Sequence, residues 1–338
     1  MDQIDELLNK QNYWEVFEPS ETDIRDRYIE LAKRYHPDSF TDSRGQEVFE
    51  HIAELKKKAM EALKKGEWQK PGCVCLAMRR GGWLSFQYED VKDFELGKTY
   101  IGCDKIMYRI DESQIKYYEN ALERIKNFSF ADSEMMGEFI PVLPRLIREG
   151  ITIAGDGVLI IEKHPNEYPL TEIYEKTRPA LEARHIAWII SRLSNICCYL
   201  QYSGLAHNGL TIENLFINPI DHNISLYGGW WYAVKEDAPL IGTTTDVYDI
   251  MSDYCKNEKR AECITDQEMV REIAKLLAGN NSMVFKRGEK TDIPEAMAAF
   301  IRSGSCGDAF EEFRIWNNTL DLSWGKRKFV QMHIPGIC

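Results

Sequence analysis

Ile24, Tyr28, Leu31 and Tyr35 recur at i, i+4, i+7 and i+11, a spacing that places them on one stripe of an α-helix. Pro37 sets the limit of that helix. The residue before a proline is pushed out of the helical region, so the helix stops by about Tyr35 and His36 enters a loop. Helical spacing resumes in "GQEVFEHIAELKKKAMEALKKG", with Phe49, Ile52, Leu55, Ala59 and Leu63 on one face and Lys56, Lys57, Lys58, Lys64 and Lys65 mostly outside. Two apolar stripes joined by the short loop "PDSFTDSRG" predict an antiparallel helix pair with His36-Pro37-Asp38 at its exposed bend. Upstream, Pro19 cannot continue a helix and Ser20 or Thr22 can cap the next one. "IDELLNKQNYWEVF" predicts a short leading helix with an apolar face that ends in an aromatic cluster.

The texture changes near residue 70. "EWQKPGCV" is a Pro/Gly break, after which "WLSFQY", "KTYIG", "KIMYRI", "FIPVLPRLI" and "GVLIIEK" read as strands, interrupted by the helix "SQIKYYENALERIKNF". After residue 167 helical spacing dominates, in "PLTEIYEK", "EARHIAWIISRLSNICCYLQYSG", "DVYDIMSDYCKNE", "DQEMVREIAKLLAG", "PEAMAAFIRS" and "GDAFEEFRIWNNTL". The expected fold is multidomain, α + (α+β): a helical domain over 1–66, a linker with a leading strand over 67–84, a strand-rich lobe over 85–166 and a helical lobe over 167–338.

With 338 residues and 44% hydrophobic content, the chain can bury full-sized cores. A net charge of -12 argues against charge-driven binding to nucleic acid or anionic membrane and favours a protein partner. The acidic start "MDQIDELLNK" is no secretion signal, and the longest apolar run carries Arg192, so a cytoplasmic location is expected. Nine cysteines scattered without paired CxxC spacing read as free thiols. "CVC" at 73–75 and "CC" at 197–198 lack a second cluster to complete a metal site, and Cys338 is not fourth from the end as prenylation requires. No metal or cofactor is expected. "KKKAMEALKK" reads as a solvated helix face, because no aromatic constellation accompanies it.

His36-Pro37-Asp38 has four readings: an acid/base pair, a metal site, a chance string or a docking signal. A catalytic pair needs a water-excluding pocket, and a metal needs at least three ligands; a bend between two helices predicts neither. A proline-fixed turn that displays an imidazole and a carboxylate beside a basic helix suits recognition of another protein. Residues 12–65 resemble a J-domain, the module of the DnaJ-type co-chaperones. "YWEVF", "IRDRYIELAKRYHPD" and "FEHIAEL" stand where the family has its first-helix aromatics, its second helix with signature loop, and its third helix.

The resemblance implies binding to a DnaK-type seventy-kilodalton heat-shock chaperone and stimulation of its ATPase. Asp38 would pair with an arginine of the chaperone, His36 and Pro37 would hold the loop, and Arg25, Arg27, Lys33 and Arg34 would face an acidic groove. Two further basic positions of the family are here Ile29 and Glu30, which should slow encounter with an acidic partner. The Gly/Phe-rich linker and zinc repeats of full-length DnaJ are missing, as in the divergent members whose other domain selects the client.

Residues 85–320 resemble the protein-kinase fold. His207, Leu210, Asn214 and Leu215 fall on catalytic-loop positions, and Asp246 in "TDVYD" stands at the start of what resembles the buried helix supporting that loop. Where the family has its catalytic aspartate stands Gly209, and its metal-binding aspartate is replaced by Gly228, or by Tyr227 one register away. Arg109 stands for the strand lysine, with Glu119 or Glu123 as its partner, and Gly97 and Gly102 make no phosphate loop. Arg109, Glu119, His207, Gly209, Asn214, Gly228 and Asp246 would then outline a vestigial nucleotide cleft. The expectation is a co-chaperone that is not an enzyme, with an inactive kinase-like body that binds a client or localises the chain. Two alternatives are an atypical nucleotide-binding or phosphotransfer enzyme recruited by its J-domain, and an interaction scaffold whose J-domain stimulates nothing.

Overall fold

The computed structural model describes residues 3–38, 40, 44–285, 291–326 and 330–334. By contacts the chain divides into two compact units, Met1–Ile115 with Arg148–Ile160, and Lys116–Ile147 with Ile161–Cys338.

The first unit opens with α1 (Gln3–Leu8), a 3-10 turn (Tyr13–Glu15), α2 (Glu21–Arg34) and α3 (Gly45–Lys65). The single leading helix expected over 4–17 is broken. Asn12 donates its backbone N–H to Glu15 Oε2 at 2.8 Å, a local bond that starts a new turn in place of helical continuation. Ser20 caps α2, its hydroxyl accepting from Asp23 N–H at 3.4 Å, and Tyr35 closes the helix. Ile24, Leu31 and Tyr35 are buried against Ile52, Leu55 and Ala59 of α3, with Tyr28 half-buried beside them. In the first turn of that α3 stripe the buried residue is Val48 and not Phe49, which stands half-buried.

That core runs on into the next element. Trp68 belongs to it and meets Tyr13 edge to face at 4.6 Å. Residues 67–84 hold β1 (Glu67–Lys70), β2 (Cys73–Ala77) and the start of β3 (Trp83–Gln87), an antiparallel sheet in that order. Its buried Val74, Leu76, Leu84 and Phe86 pack with Tyr100, Met107, Val158 and Ile160.

The latter four lie on a five-stranded sheet with order β4–β5–β6–β8–β7. Its strands are β4 (Asp90–Phe94), β5 (Gly97–Ile101), β6 (Lys105–Ile110), β7 (Leu146–Ile151) and β8 (Gly157–Glu162). Phe94 pairs with Gly97 across a two-residue turn. There Gly97 has φ of 151°, and a β-carbon would stand 2.1 Å from Arg109 O, so only glycine fits. The one leading strand expected over 67–84 is two, β1 and β2, ahead of β3, and β4 is not among the expected strands: it is an edge strand with hardly any buried residue and no alternation to detect.

The second unit contains α4 (Ile115–Lys126, from Lys116 onward), α5 (Ser133–Phe139) and, after the sheet, β9 (Tyr168–Pro169), α6 (Leu170–Thr177) and α7 (Ala183–Tyr202). The segment "FIPVLPRLI" is a strand only from Leu146. Its first half ends α5 and turns through a 3-10 helix, Ile140–Val142, consistent with two prolines that cannot donate to a ladder. Then come β10 (Leu205–Ala206), β11 (Leu215–Asn218), β12 (Asn223–Leu226) and β13 (Val234–Lys235). The helices α8 (Thr245–Ile250), α9 (Asp253–Glu258), α10 (Cys263–Leu277), α11 (Glu295–Arg302) and α12 (Ala309–Trp324) follow. The one helix expected over 246–258 is two, because the Ser252 hydroxyl accepts from Cys255 N–H and starts a second. α7 is the spine of this unit, buried along most of its length. The described cysteines are unbridged, and Cys338 lies outside the described residues. Among the described residues no helix is long and apolar enough to cross a membrane.

Candidate functional site

In the first unit the bend after α2 carries His36, Pro37 and Asp38, all exposed. The bend is locally braced: Asp38 N–H donates to His36 Nδ1 at 3.2 Å, and Phe40 N–H donates to His36 O at 2.9 Å. The imidazole lies edge to face on Phe49 at 5.7 Å, and its Nδ1 is 3.6 Å from Asp38 Oδ2. The half-buried position of Phe49 therefore has a use, since that ring seats His36. The Asp38 side chain is 89% exposed, so its carboxylate is available to a partner's cation.

The α2 cations are partly spoken for. Arg25 pairs with Asp26 at 3.3 Å and Arg27 with Glu30 at 2.8 Å, while Arg34 bonds Gln3 Oε1 and lies over the Tyr35 ring. Lys33 is exposed, and Ile29 stands 42% exposed on the same helix.

Also in the first unit, Arg109 on β6 is clamped between Glu67 at 2.8 Å and Asp156 at 2.7 Å. Burial pulls its guanidinium pKa down, but the two carboxylates more than offset this, and it ends above the usual value. Asp156 also accepts from Glu112 N–H at 3.1 Å. The ion partners of Arg109 are thus Glu67 and Asp156, in place of the expected Glu119 or Glu123. In the second unit those two are exposed on α4, Glu123 beside Arg124 at 3.0 Å. On α4, Asn120 ties the helix to the unit, its amide donating to Trp231 O at 3.1 Å and Ala233 O at 2.9 Å.

The second unit brings His207, Gly209, Asn214 and Gly228 together. Asn214 Nδ2 donates to Gly209 O at 2.8 Å, and Asn214 O accepts from Gly228 N–H at 3.1 Å. A β-carbon on Gly228 would stand 2.2 Å from Asn214 Oδ1, so the asparagine occupies the space a side chain at 228 would need. Tyr227, the other register, turns its hydroxyl to Glu167 Oε2 at 2.8 Å. His207 is fully buried and edge-on to Trp230 at 4.8 Å, and burial pushes its imidazole down to about 3.

Asp246 is not part of this group. It is exposed on α8, and the buried helix behind the loop is α10. From α10, Asp266 accepts from His207 N–H at 2.6 Å and Asn208 N–H at 3.0 Å. Burial raises its carboxyl to about 7, with the two N–H donors opposing the rise. The sequence reading passed over Asp266, although an acid in the apolar stripe Cys263, Val270, Ile273 and Leu277 is itself a signal of a buried tether.

No protein-family model and no curated protein matches the sequence. A solved structure described as "Structure of vaccinia related kinase 3" matches with a TM-score of 0.51 and 11% identity, over 75% of this chain and 93% of that one. At this identity the likeness shows the fold alone. The chain contains a protein-kinase-like fold, with a sheet lobe and a helical lobe. This match overturns the expectation that the chain is not an enzyme: the body judged inactive from Gly209 and Gly228 has the fold of a structure described as a kinase, and the fold by itself neither assigns nor removes an activity.

Proposed function

We propose that the chain is a divergent J-domain co-chaperone. It binds a DnaK-type seventy-kilodalton heat-shock chaperone through His36-Pro37-Asp38 and stimulates its ATPase, while the kinase-like body selects a client or a location. The observation that carries the reading is the braced, exposed bend between α2 and α3, with Asp38 turned outward and His36 seated on Phe49. A turn held by local bonds at His36 and Asp38 has less conformational freedom to lose on binding and presents one carboxylate to a partner. Lys33 and Arg34 near the end of α2 supply positive charge beside it. The Arg27–Glu30 pair lowers the charge available for steering, which fits a specialised partner or a weak contact strengthened by tethering elsewhere.

A steady-state ATPase assay with purified chaperone and the full chain tests this. Stimulation should appear and should be lost on His36→Gln and on Asp38→Asn. No stimulation, or stimulation that both variants leave unchanged, refutes the proposal and leaves an interaction scaffold.

The kinase-like fold favours a second reading, a nucleotide-binding or phosphotransfer activity recruited by the N-terminal module. A ligand that binds only the folded state raises the apparent stability. A rise in melting temperature with ATP and magnesium would support this reading, and no change up to millimolar nucleotide would dismiss it.

A further inference from the structure

The seating of His36 on Phe49 has a counterpart farther along the same two helices. The ammonium of Lys56 on α3 lies 3.9 Å from the centre of the Tyr28 ring on α2. Phe49 and Lys56 are seven residues apart. That is two helical turns, so they share one stripe of α3 at a separation of about 10 Å. Both contacts therefore close one seam between α2 and α3, His36 on Phe49 at the bend and Lys56 on Tyr28 beyond it.

Lys56 keeps its charge. A ring face attracts an ammonium without cancelling it, and Lys56 has no ion-pair partner among the described residues. Its neighbours three and four residues away, Ile52, Ala53, Ala59 and Met60, are uncharged. The acids Glu50, Glu54 and Glu61 of the same helix are turned roughly 120–160° around it from Lys56. Other cations of the helix pair are compensated: Lys58 pairs with Glu54 at 2.8 Å and Arg27 with Glu30 at 2.8 Å. On α2 the turn before Tyr28 brings Arg25, in an exposed pair with Asp26, and the acid that shares this stripe is Glu21, at the end away from His36. The half-buried Lys56 stem and the ring beneath its head restrict the ammonium, so less freedom is lost when a partner meets it.

We propose that Lys56 is a partner-contacting residue: it receives a carboxylate of the chaperone's acidic surface on the α2–α3 seam, and so supplies from α3 the positive charge that Ile29 and Glu30 leave out of α2. The proposal rests on the co-chaperone reading and adds to it the place where the partner's acid sits. Asp38 then calls for a cation and Lys56 for an anion along one seam. That order sets the partner's orientation, because a reversed approach brings like charges together.

Stopped-flow association of the full chain with the purified chaperone, run beside the ATPase assay, tests it. Lys56→Met keeps a stem on Tyr28 and removes the charge; it should slow association several-fold at low salt and lose most of that deficit at high salt. Lys56→Gln should do the same, and Lys56→Arg, which keeps a cation over the ring, should retain the wild-type rate. Melting curves of the three variants check that the fold is kept. Lys58→Gln removes a charge already paired with Glu54 and should change the rate little. A Lys58→Gln deficit as large as that of Lys56→Met would make Lys56 mere background charge and overturns the proposal. So does a rate that Lys56→Met and Lys56→Gln leave unchanged while stimulation still depends on His36, an outcome that leaves the co-chaperone reading standing. Absence of His36-dependent stimulation in the wild type brings down both.

Discussion

His207 and Asp266 pull the stability of the second unit in opposite directions with pH. The folded His207 has its pKa depressed from 6.5 to about 3, so below pH 6.5 the unfolded chain binds a proton that the native chain refuses, and stability is lost on acidification. The folded Asp266 has its pKa raised from 3.8 to about 7, so the native chain holds a proton that the unfolded chain has released, and stability is lost as pH rises from about 4 to 7. Between about pH 4 and 6.5 the two slopes oppose each other. Asp266→Asn removes one of them: its urea midpoint should fall more steeply from pH 6.5 to 4.5 than that of the wild type. At pH 7 the variant should also lose about 1–3 kcal/mol, because its amide must turn a donor toward one of the two loop N–H groups. A wild-type-like pH profile in the variant would contradict the tether. Gly209 and Gly228 were legible as residues, whereas the closure of their space by Asn214 was not, because spacing along a chain does not say which side chain fills a gap.

Among the elements, α2 was read most fully from sequence, since its cap, its apolar stripe and its stop are all local properties. The errors fell where a competing local bond or a face-to-face contact decides. Val48 takes the buried place expected of Phe49, and with Ile52, Leu55 and Ala59 it keeps the spacing i, i+4, i+7 and i+11, which the larger aromatic ring next to it obscures in the sequence. Ile52→Ala, at the centre of that packing, should cost about 2–5 kcal/mol, measured as a shift in denaturant midpoint. Glu30 makes a separate prediction under the co-chaperone reading. Glu30→Lys frees Arg27 and turns one anion into a cation, so association with the chaperone should speed several-fold at low salt and lose the gain at high salt. Stopped-flow rates at two ionic strengths decide it, and a rate indifferent to the substitution would place α2 outside the contact.

At the scale of the whole chain, the change of texture near residue 70 announced a helical part and a mixed part, but it did not announce where the first core ends. The helical core includes Trp68, which follows the last turn of α3 and meets Tyr13 edge to face. Gly66 makes this possible: its φ of 71° turns the chain at the helix end, so that β1 runs back along the pair it has just left. A fragment ending at residue 66 keeps every residue of the three helices and loses a buried indole that no polar group can replace. Trp→Ala changes in a core cost about 3–5 kcal/mol, comparable to the whole stability of a domain of this size. The fragment 1–66 should therefore melt well below the fragment 1–70, and Trp68→Ala in the full chain should lower hydrogen-exchange protection across α2 and α3. Equal melting of the two fragments would mean that the helix pair is self-sufficient and that β1 only adjoins it; a gap that Trp68→Ala closes within the longer fragment would trace the difference to this one side chain.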